Sequence, residues 1–151
     1  MEVYRLNRKK YADGLSGKGA AARGARWNSR GVEVIYTSSS RALAMAEVLV
    51  HLSTDLIPND FEMLSVKVPV DMPIDEVKVE LLPNDWNSFS KMFVTQKIGD
   101  QFIKEVKSPL LKVPSVVVPG DWNILINPNH ASFKGIEVVE SRDFPFDTRF
   151  F

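Results

Sequence analysis

The stretch Gly17-Lys-Gly19-Ala-Ala-Ala-Arg-Gly24-Ala-Arg26-Trp27-Asn28-Ser-Arg-Gly31, continued by Val32-Glu-Val-Ile-Tyr36-Thr-Ser-Ser-Ser40 and Arg41-Ala-Leu-Ala-Met-Ala-Glu47-Val-Leu-Val-His51-Leu52, decides the fold. Three local patterns follow one another. Glycines at 14, 17, 19 and 24 break up the first part, which reads as an irregular loop that carries Arg26, Trp27 and Asn28. The β-branched run Val32 to Thr37 reads as a strand ending near Tyr36. The serines that follow offer N-caps to a helix from about Arg41 to Leu52. That helix is apolar almost all round, which predicts burial. Glu47 stands in its middle, with Leu43, Val50 and His51 on its own face. A carboxylate there needs a partner or a cavity, because burial alone is too costly. Arg26, upstream in the glycine loop, is the obvious partner. Arginine, tyrosine and glutamate on loop, strand and helix form either a core ion pair or a functional site, and spacing alone favours neither.

Outward from this stretch, the chain of 151 residues has room for one domain with a sizeable core. Nineteen Lys and Arg balance nineteen Asp and Glu, so bulk charge gives no reason to expect nucleic-acid or membrane-surface binding. Without cysteine there is no disulfide, thiol nucleophile or thiolate metal site. With two histidines a zinc centre would need carboxylates as its other ligands, and no metal is expected. No apolar run reaches a membrane span and no secretory h-region opens the sequence, so a cytoplasmic protein is expected.

Elsewhere the pattern is strand-rich. Strands are expected at Glu2 to Leu6, Phe61 to Pro69, Leu110 to Val118, Asn123 to Asn127 and Gly135 to Glu140, with another short strand within Ile74 to Leu82. Pro114 predicts a bulge or edge position. A second helix is expected from Thr95 to Val106 on its apolar stripe, weakened slightly by Gly99. Ser53 to Asp60, with Pro58, reads as a polar loop. Strands outnumber helices and are not interleaved with them. The fold class is therefore α+β, with a central twisted, mostly antiparallel sheet.

Several chemical motifs fail on inspection. Gly17-x-Gly19 lacks the third glycine of a dinucleotide fingerprint, and no Walker A sequence is present. Ser115 has no Gly-x-Ser-x-Gly elbow and reads better as a hydrogen-bond donor than as a nucleophile. His130, in Asn-Pro-Asn-His, reads as a loop histidine bonding local backbone, and Asn127 before Pro128 marks a turn. Trp27 reads more readily as a core anchor than as a stacking platform.

Taken together, Gly19-Ala20, Gly24, Arg26-Trp27-Asn28, Gly31, Ile35-Tyr36, Ala44 and Glu47-Val-Leu-Val-His-Leu resemble the N-terminal signature of the RES-domain proteins. Gly99-Asp100, Val113-Pro-Ser115-Val-Val-Val-Pro119, Asn123 and Asn127-Pro-x-His130 resemble its second half, and Phe146-Asp147-x-Arg149 its ending. The arginine, glutamate and serine for which the family is named fall on Arg26, Glu47 and Ser115. Ala25 departs from the pattern, since a second glycine commonly precedes the arginine. The resemblance implies a single domain similar to ADP-ribosyltransferases, and a bacterial toxin that consumes NAD⁺ as substrate, with no separate cofactor, by breaking the nicotinamide–ribose bond. It implies Arg26, Glu47 and Tyr36 as catalytic residues, with Gly19, Trp27, Asn28, Ser115 and Asn127 toward substrate. In that scheme Arg26 grips the pyrophosphate, Glu47 holds the ribose hydroxyls and the developing oxocarbenium charge, Tyr36 faces the nicotinamide and Ser115 hydrogen-bonds it or the ribose. It also implies an Xre-type helix-turn-helix antitoxin in the cleft, and leaves room for a homodimer. Two alternatives use the same residues: transfer of ADP-ribose to a protein, and a nucleotide-binding module without catalysis.

Overall fold

A computed structural model describes residues 1–11, 14–53 and 59–151. Seven strands form one sheet in the spatial order β4-β5-β6-β2-β1-β3-β7. In chain order the elements are β1 (Glu2–Arg8), α1 (Lys18–Arg23), β2 (Ile35–Ser38), α2 (Arg41–Leu49), β3 (Phe61–Lys67), β4 (Ile74–Glu76), α3 (Met92–Glu105), β5 (Leu110–Pro114), β6 (Trp122–Ile126) and β7 (Glu137–Asp143), with short 3₁₀ turns between some of them. Every pairing is antiparallel except β4 with β5. The expected α+β class and mostly antiparallel sheet are therefore what the chain adopts. Among the described residues no helix is long and apolar enough to cross a membrane.

Strand alternation feeds two cores. Ile35, Leu110, Ile124 and Ile126 turn to one face, where they meet Val3, Leu64 and Val66. Their neighbours Leu111, Val113 and Leu125 turn to the other, against Phe102 and Ile103 of α3 and against Trp27 and Trp86. On this second face α2 covers the neighbouring strands through Ala44, which packs with Leu6, Phe61 and Met63. Tyr36, Ser38 and Asn123 share that face, because Tyr36 is paired with Leu125 and Ser38 with Asn123. The site described below is built there, on β2 and β6, with Glu47 reaching in from α2.

Three expectations need correction. The glycine stretch is not wholly irregular. Lys18-Gly-Ala-Ala-Ala-Arg23 forms α1, since an alanine run outweighs one internal glycine. Gly24 then stops it at φ 72, where its N–H donates to the Ala20 carbonyl. Second, α2 is not buried all round. It starts where expected, with Ser40 Oγ accepting from the Leu43 N–H at 3.1 Å, but only Leu43 and Ala44 are buried and Val50 is 58% exposed. A helix lying on one sheet face covers that face with one side, whatever the composition of its other side. Third, Leu110 to Val118 is not one strand: β5 ends at Pro114, opposite Trp122 and beyond the reach of β4, so the proline takes the edge position expected of it and forfeits no ladder bond. The short strand expected within Ile74 to Leu82 is β4, and a 3₁₀ turn at Val79–Leu81 follows it. The second helix begins at Met92, three residues earlier than the apolar stripe suggested. The expected polar loop around Pro58 lies mostly outside the described residues.

Candidate functional site

Arg26, Trp27 and Asn28 sit in a tight loop closed by reciprocal backbone bonds between Ala25 and Asn28. The loop is gripped from several sides. Asn28 is fully buried, and its Nδ2 donates to the carbonyls of Ala20, Ser29 and Val32 at 3.0–3.2 Å. Tyr36 Oη donates to Asn28 Oδ1 at 2.6 Å and accepts from the Trp27 N–H at 3.0 Å. From α3, Thr95 Oγ1 donates to the Arg26 carbonyl at 2.5 Å and Gln96 Nε2 to the Ala25 carbonyl at 2.9 Å. Asp100 accepts from both the N–H and the hydroxyl of Ser29, at 2.8 and 2.5 Å. Such close approach needs Gly99, because a Cβ there would lie 1.6 Å from the Trp27 carbonyl oxygen.

The Arg26 side chain leaves this loop toward the turn at residues 86–88. Nη1 donates to the carbonyls of Trp86 and Ser88 at 3.3 and 3.0 Å, and Nη2 to that of Asn87 at 3.3 Å. Trp86 is held in turn against Trp27, with ring centroids 6.2 Å apart. Among the described residues no ion pair joins Arg26 to Glu47, so the expected partnership is corrected: backbone carbonyls, not a carboxylate, orient the guanidinium. Those bonds use three of its five N–H groups. The Nε–H and one Nη2–H have no protein acceptor among the described residues. Burial lowers the Arg26 pKa from its ordinary value, with the Tyr36 phenol acting against that fall. The group stays a cation whose charge no carboxylate cancels.

Glu47 is half-exposed on α2, and its carboxylate points at the far ends of β5 and β6. Ser115 Oγ and Asn123 Nδ2 both donate to Glu47 Oε1, each at 2.7 Å. Ser115 Oγ also accepts from the N–H groups of Val117 and Val118 at 3.1 and 3.0 Å. The serine is buried and its single proton is directed at Glu47. Burial pushes the Tyr36 phenol well above the ordinary tyrosine range. The Trp27 N–H and the Arg26 cation pull it back, while Asp100 and Glu47 push it further up. Tyr36 therefore feels both charged members of the site and stays protonated.

The residues expected from sequence divide into three groups. Glu47 and Ser115 are hydrogen-bonded to each other, Tyr36 is bonded to the loop that carries Arg26, and Tyr36 lies within electrostatic range of both Arg26 and Glu47. Trp27 and Asn28 are buried parts of the loop that carries Arg26, with Asn28's amide wholly committed to protein. Gly19 lies in the first turn of α1, exposed, with nothing within 4 Å of an added Cβ. Asn127 is fully buried at the opposite end of β6 from Asn123; its Nδ2 donates to the Ile103 carbonyl and its Oδ1 accepts from the Asn129 N–H. That ties α3 to the sheet. His130 Nδ1 accepts from the Ser132 N–H at 3.0 Å, the local backbone role read from the sequence. Ser38, Thr95 and Gln96 also serve the site, and no local sequence pattern marks them. A polar residue opening the apolar run Trp122-Asn-Ile-Leu-Ile126 was the available signal for Asn123.

A site of this kind on this sheet defines a recognisable class. The chain matches the family model described as RES domain over residues 2–147. It is 38% identical over 151 residues to the protein named Toxin Res of Photorhabdus laumondii, which spans 99% of this chain and 96% of that one. It is 39% identical over 141 residues to the Prs ADP-ribosylating toxin of a Sphingobium species, spanning 91% of this chain and 87% of that one. Among solved structures, the crystal structure of the M. tuberculosis MbcT-MbcA toxin-antitoxin complex shares the fold at a TM-score of 0.78 and 19% identity, over 95% of this chain and 84% of that one. The chain belongs to the RES-domain family.

Proposed function

We propose that this protein is the toxin of a toxin–antitoxin pair and acts on NAD⁺ by breaking the nicotinamide–ribose bond, the ribose carbon passing to water or to inorganic phosphate as nicotinamide leaves. The observation that carries the reading is that two held charges, unneutralised among the described residues, both lie within electrostatic range of Tyr36 on β2. Arg26 keeps two N–H donors for a ligand while carbonyls fix its plane. Glu47 keeps Oε2 for a ligand while Ser115 and Asn123 fix Oε1.

NAD⁺ asks for such a pair. Its pyrophosphate is a bidentate acceptor for a guanidinium fork, a geometry that lysine does not reproduce. Departure of nicotinamide develops positive charge on the ribose, which a carboxylate fixed in advance stabilises without reorganising. Tyr36 stays protonated with its hydroxyl committed to the Arg26–Asn28 loop, so it contributes a ring wall and loop geometry rather than a proton. Nicotinamide is a neutral leaving group and needs no general acid. The names of relatives at 38 and 39% identity support the toxin reading. An antitoxin partner, taken here to be of the Xre helix-turn-helix type, is supported by the fold neighbour having been solved as a toxin-antitoxin complex.

A second reading has a specific observation in its favour. The Sphingobium relative is named as ADP-ribosylating Prs, and the same charges would serve transfer of ADP-ribose to a protein side chain. One experiment separates the two: purified protein with NAD⁺ in buffer containing inorganic phosphate, alone and then with that protein as acceptor, both products identified by mass. Nicotinamide released in the absence of acceptor supports degradation. Release only with acceptor, together with a heavier acceptor, supports transfer. Intact NAD⁺ in both incubations rejects the reading.

A further inference from the structure

We infer that Ser38 and Asn123 are positioning residues that hold Glu47 through a relay of side-chain hydrogen bonds, leaving Oε2 as its working oxygen. The inference rests on the function proposed above. Ser38 Oγ donates to Asn123 Oδ1 at 2.7 Å, and Asn123 Nδ2 donates to Glu47 Oε1 at 2.7 Å. The direction of the relay is chemically fixed. A carboxylate only accepts, so the amide must turn its NH₂ to Glu47 and its oxygen to Ser38, whose one proton fills it. Both residues are buried, at 5% and 8% exposure, and are directly paired across β2 and β6. The sheet register thus sets the amide, and the amide sets the carboxylate.

Ser115 completes the mount from just beyond β5, delivering its proton to the same Oε1 while Val117 and Val118 hold it by their N–H groups. Two donors converge on one oxygen, and the other has none from the protein among the described residues. A glutamate on a half-open helix face has three side-chain torsions to lose on binding. Here those torsions are fixed before substrate arrives, which is the condition for electrostatic stabilisation without reorganisation. Ser38 and Asn123 touch Glu47 or its holder rather than the substrate, so they act through it.

The test takes Asn123→Ala, Ser38→Ala and Ser38→Thr, with kcat and KM for NAD⁺, a melting curve and a crystal structure of each. The expected result is a kcat loss of roughly ten- to a hundredfold for Asn123→Ala, the scale of one hydrogen bond to a charged group. KM should stay within about twofold, because the pyrophosphate grip belongs to Arg26. Ser38→Ala should show a smaller loss in the same direction, and Ser38→Thr should restore it by returning the hydroxyl. The Glu47 side chain should be displaced or split between rotamers in both alanine variants. Wild-type kcat in a folded Ser38→Ala and Asn123→Ala overturns the inference, as does an unmoved Glu47. If the wild-type protein leaves NAD⁺ intact, the proposed activity fails by itself, and the crystal structures still decide whether the relay holds Glu47. If Asn123→Ala does not fold, the two Ser38 variants decide alone.

Discussion

Gly99→Ala should do far more damage than an alanine in a helix ordinarily could. On propensity alone the change favours the helix by about 0.5–1 kcal/mol. In this structure the new Cβ would lie 1.6 Å from the Trp27 carbonyl oxygen and 2.7 Å from the carbonyl carbon, both backbone atoms that no rotamer change can move aside. Contacts under 3.0 Å are essentially never tolerated, so α3 and the 25–29 loop must part by about 1.4 Å, the difference between 3.0 and 1.6 Å. Four hydrogen bonds cross that seam: Thr95 to the Arg26 carbonyl, Gln96 to the Ala25 carbonyl, and the Ser29 N–H and hydroxyl to Asp100. Lengthened by that amount, all four pass beyond hydrogen-bond range. Two neutral bonds at about 1 kcal/mol each and two to a carboxylate at about 1.5–3 kcal/mol each give an upper bound of about 5–8 kcal/mol. Partial following by the loop should bring the net loss to about 3–5 kcal/mol, a large share of a typical domain's stability. Urea unfolding measures it. Gly19→Ala on α1 is the internal control, since nothing lies within 4 Å of its added Cβ. It should gain up to about 1 kcal/mol. A Gly99→Ala protein within about 1 kcal/mol of wild type would refute the seam argument.

Arg26→Lys keeps the charge but cannot span the carbonyls at 86–88 and still offer a fork; it should raise KM for NAD⁺ at least tenfold, roughly the 1.5–3 kcal/mol of a charge-assisted bond, with little change in melting temperature. An unchanged KM would remove Arg26 from substrate binding. Stability should fall as pH rises past about 10, the ordinary tyrosine value, because the unfolded chain then releases a proton that native Tyr36 keeps. Tyr36→Phe should flatten that alkaline loss, and melting curves from about pH 8 to 11 with equal slopes in both proteins would contradict the buried phenol.

How much was legible in the sequence depended on whether the cause was local. The sheet was legible because strand alternation is local, and α2 because Ser40 caps it visibly. The residue types of the site were legible too: a lone carboxylate among Ala, Leu, Val and Met had to have a reason. Its partner was not legible. Arg26 is about twenty positions from Glu47 and opposite in charge, yet it bonds to carbonyls some sixty residues on, in a turn without a charged signature. The residues that do hold Glu47 come from just beyond β5 and from β6. They are neutral, and only the register of β2 against β6 brings Ser38 to Asn123. Gly99 shows the same limit: read locally it is a weak point in a helix, whereas in three dimensions it is where α3 meets the Trp27 backbone. Composition also overstated the burial of α2, because it counts apolar residues and not which side of the helix faces the sheet.

The most direct test of the central claim is nicotinamide release from NAD⁺ by wild type and Glu47→Gln, with a melting curve on the same preparations. The substituted amide keeps an oxygen that can accept from Ser115 and Asn123, and the position is half-exposed, so the melting temperature should barely move. Release should fall by about a hundredfold or more, the scale of losing one preorganised electrostatic element. Nicotinamide release at the wild-type rate from a fully folded Glu47→Gln protein would contradict the account.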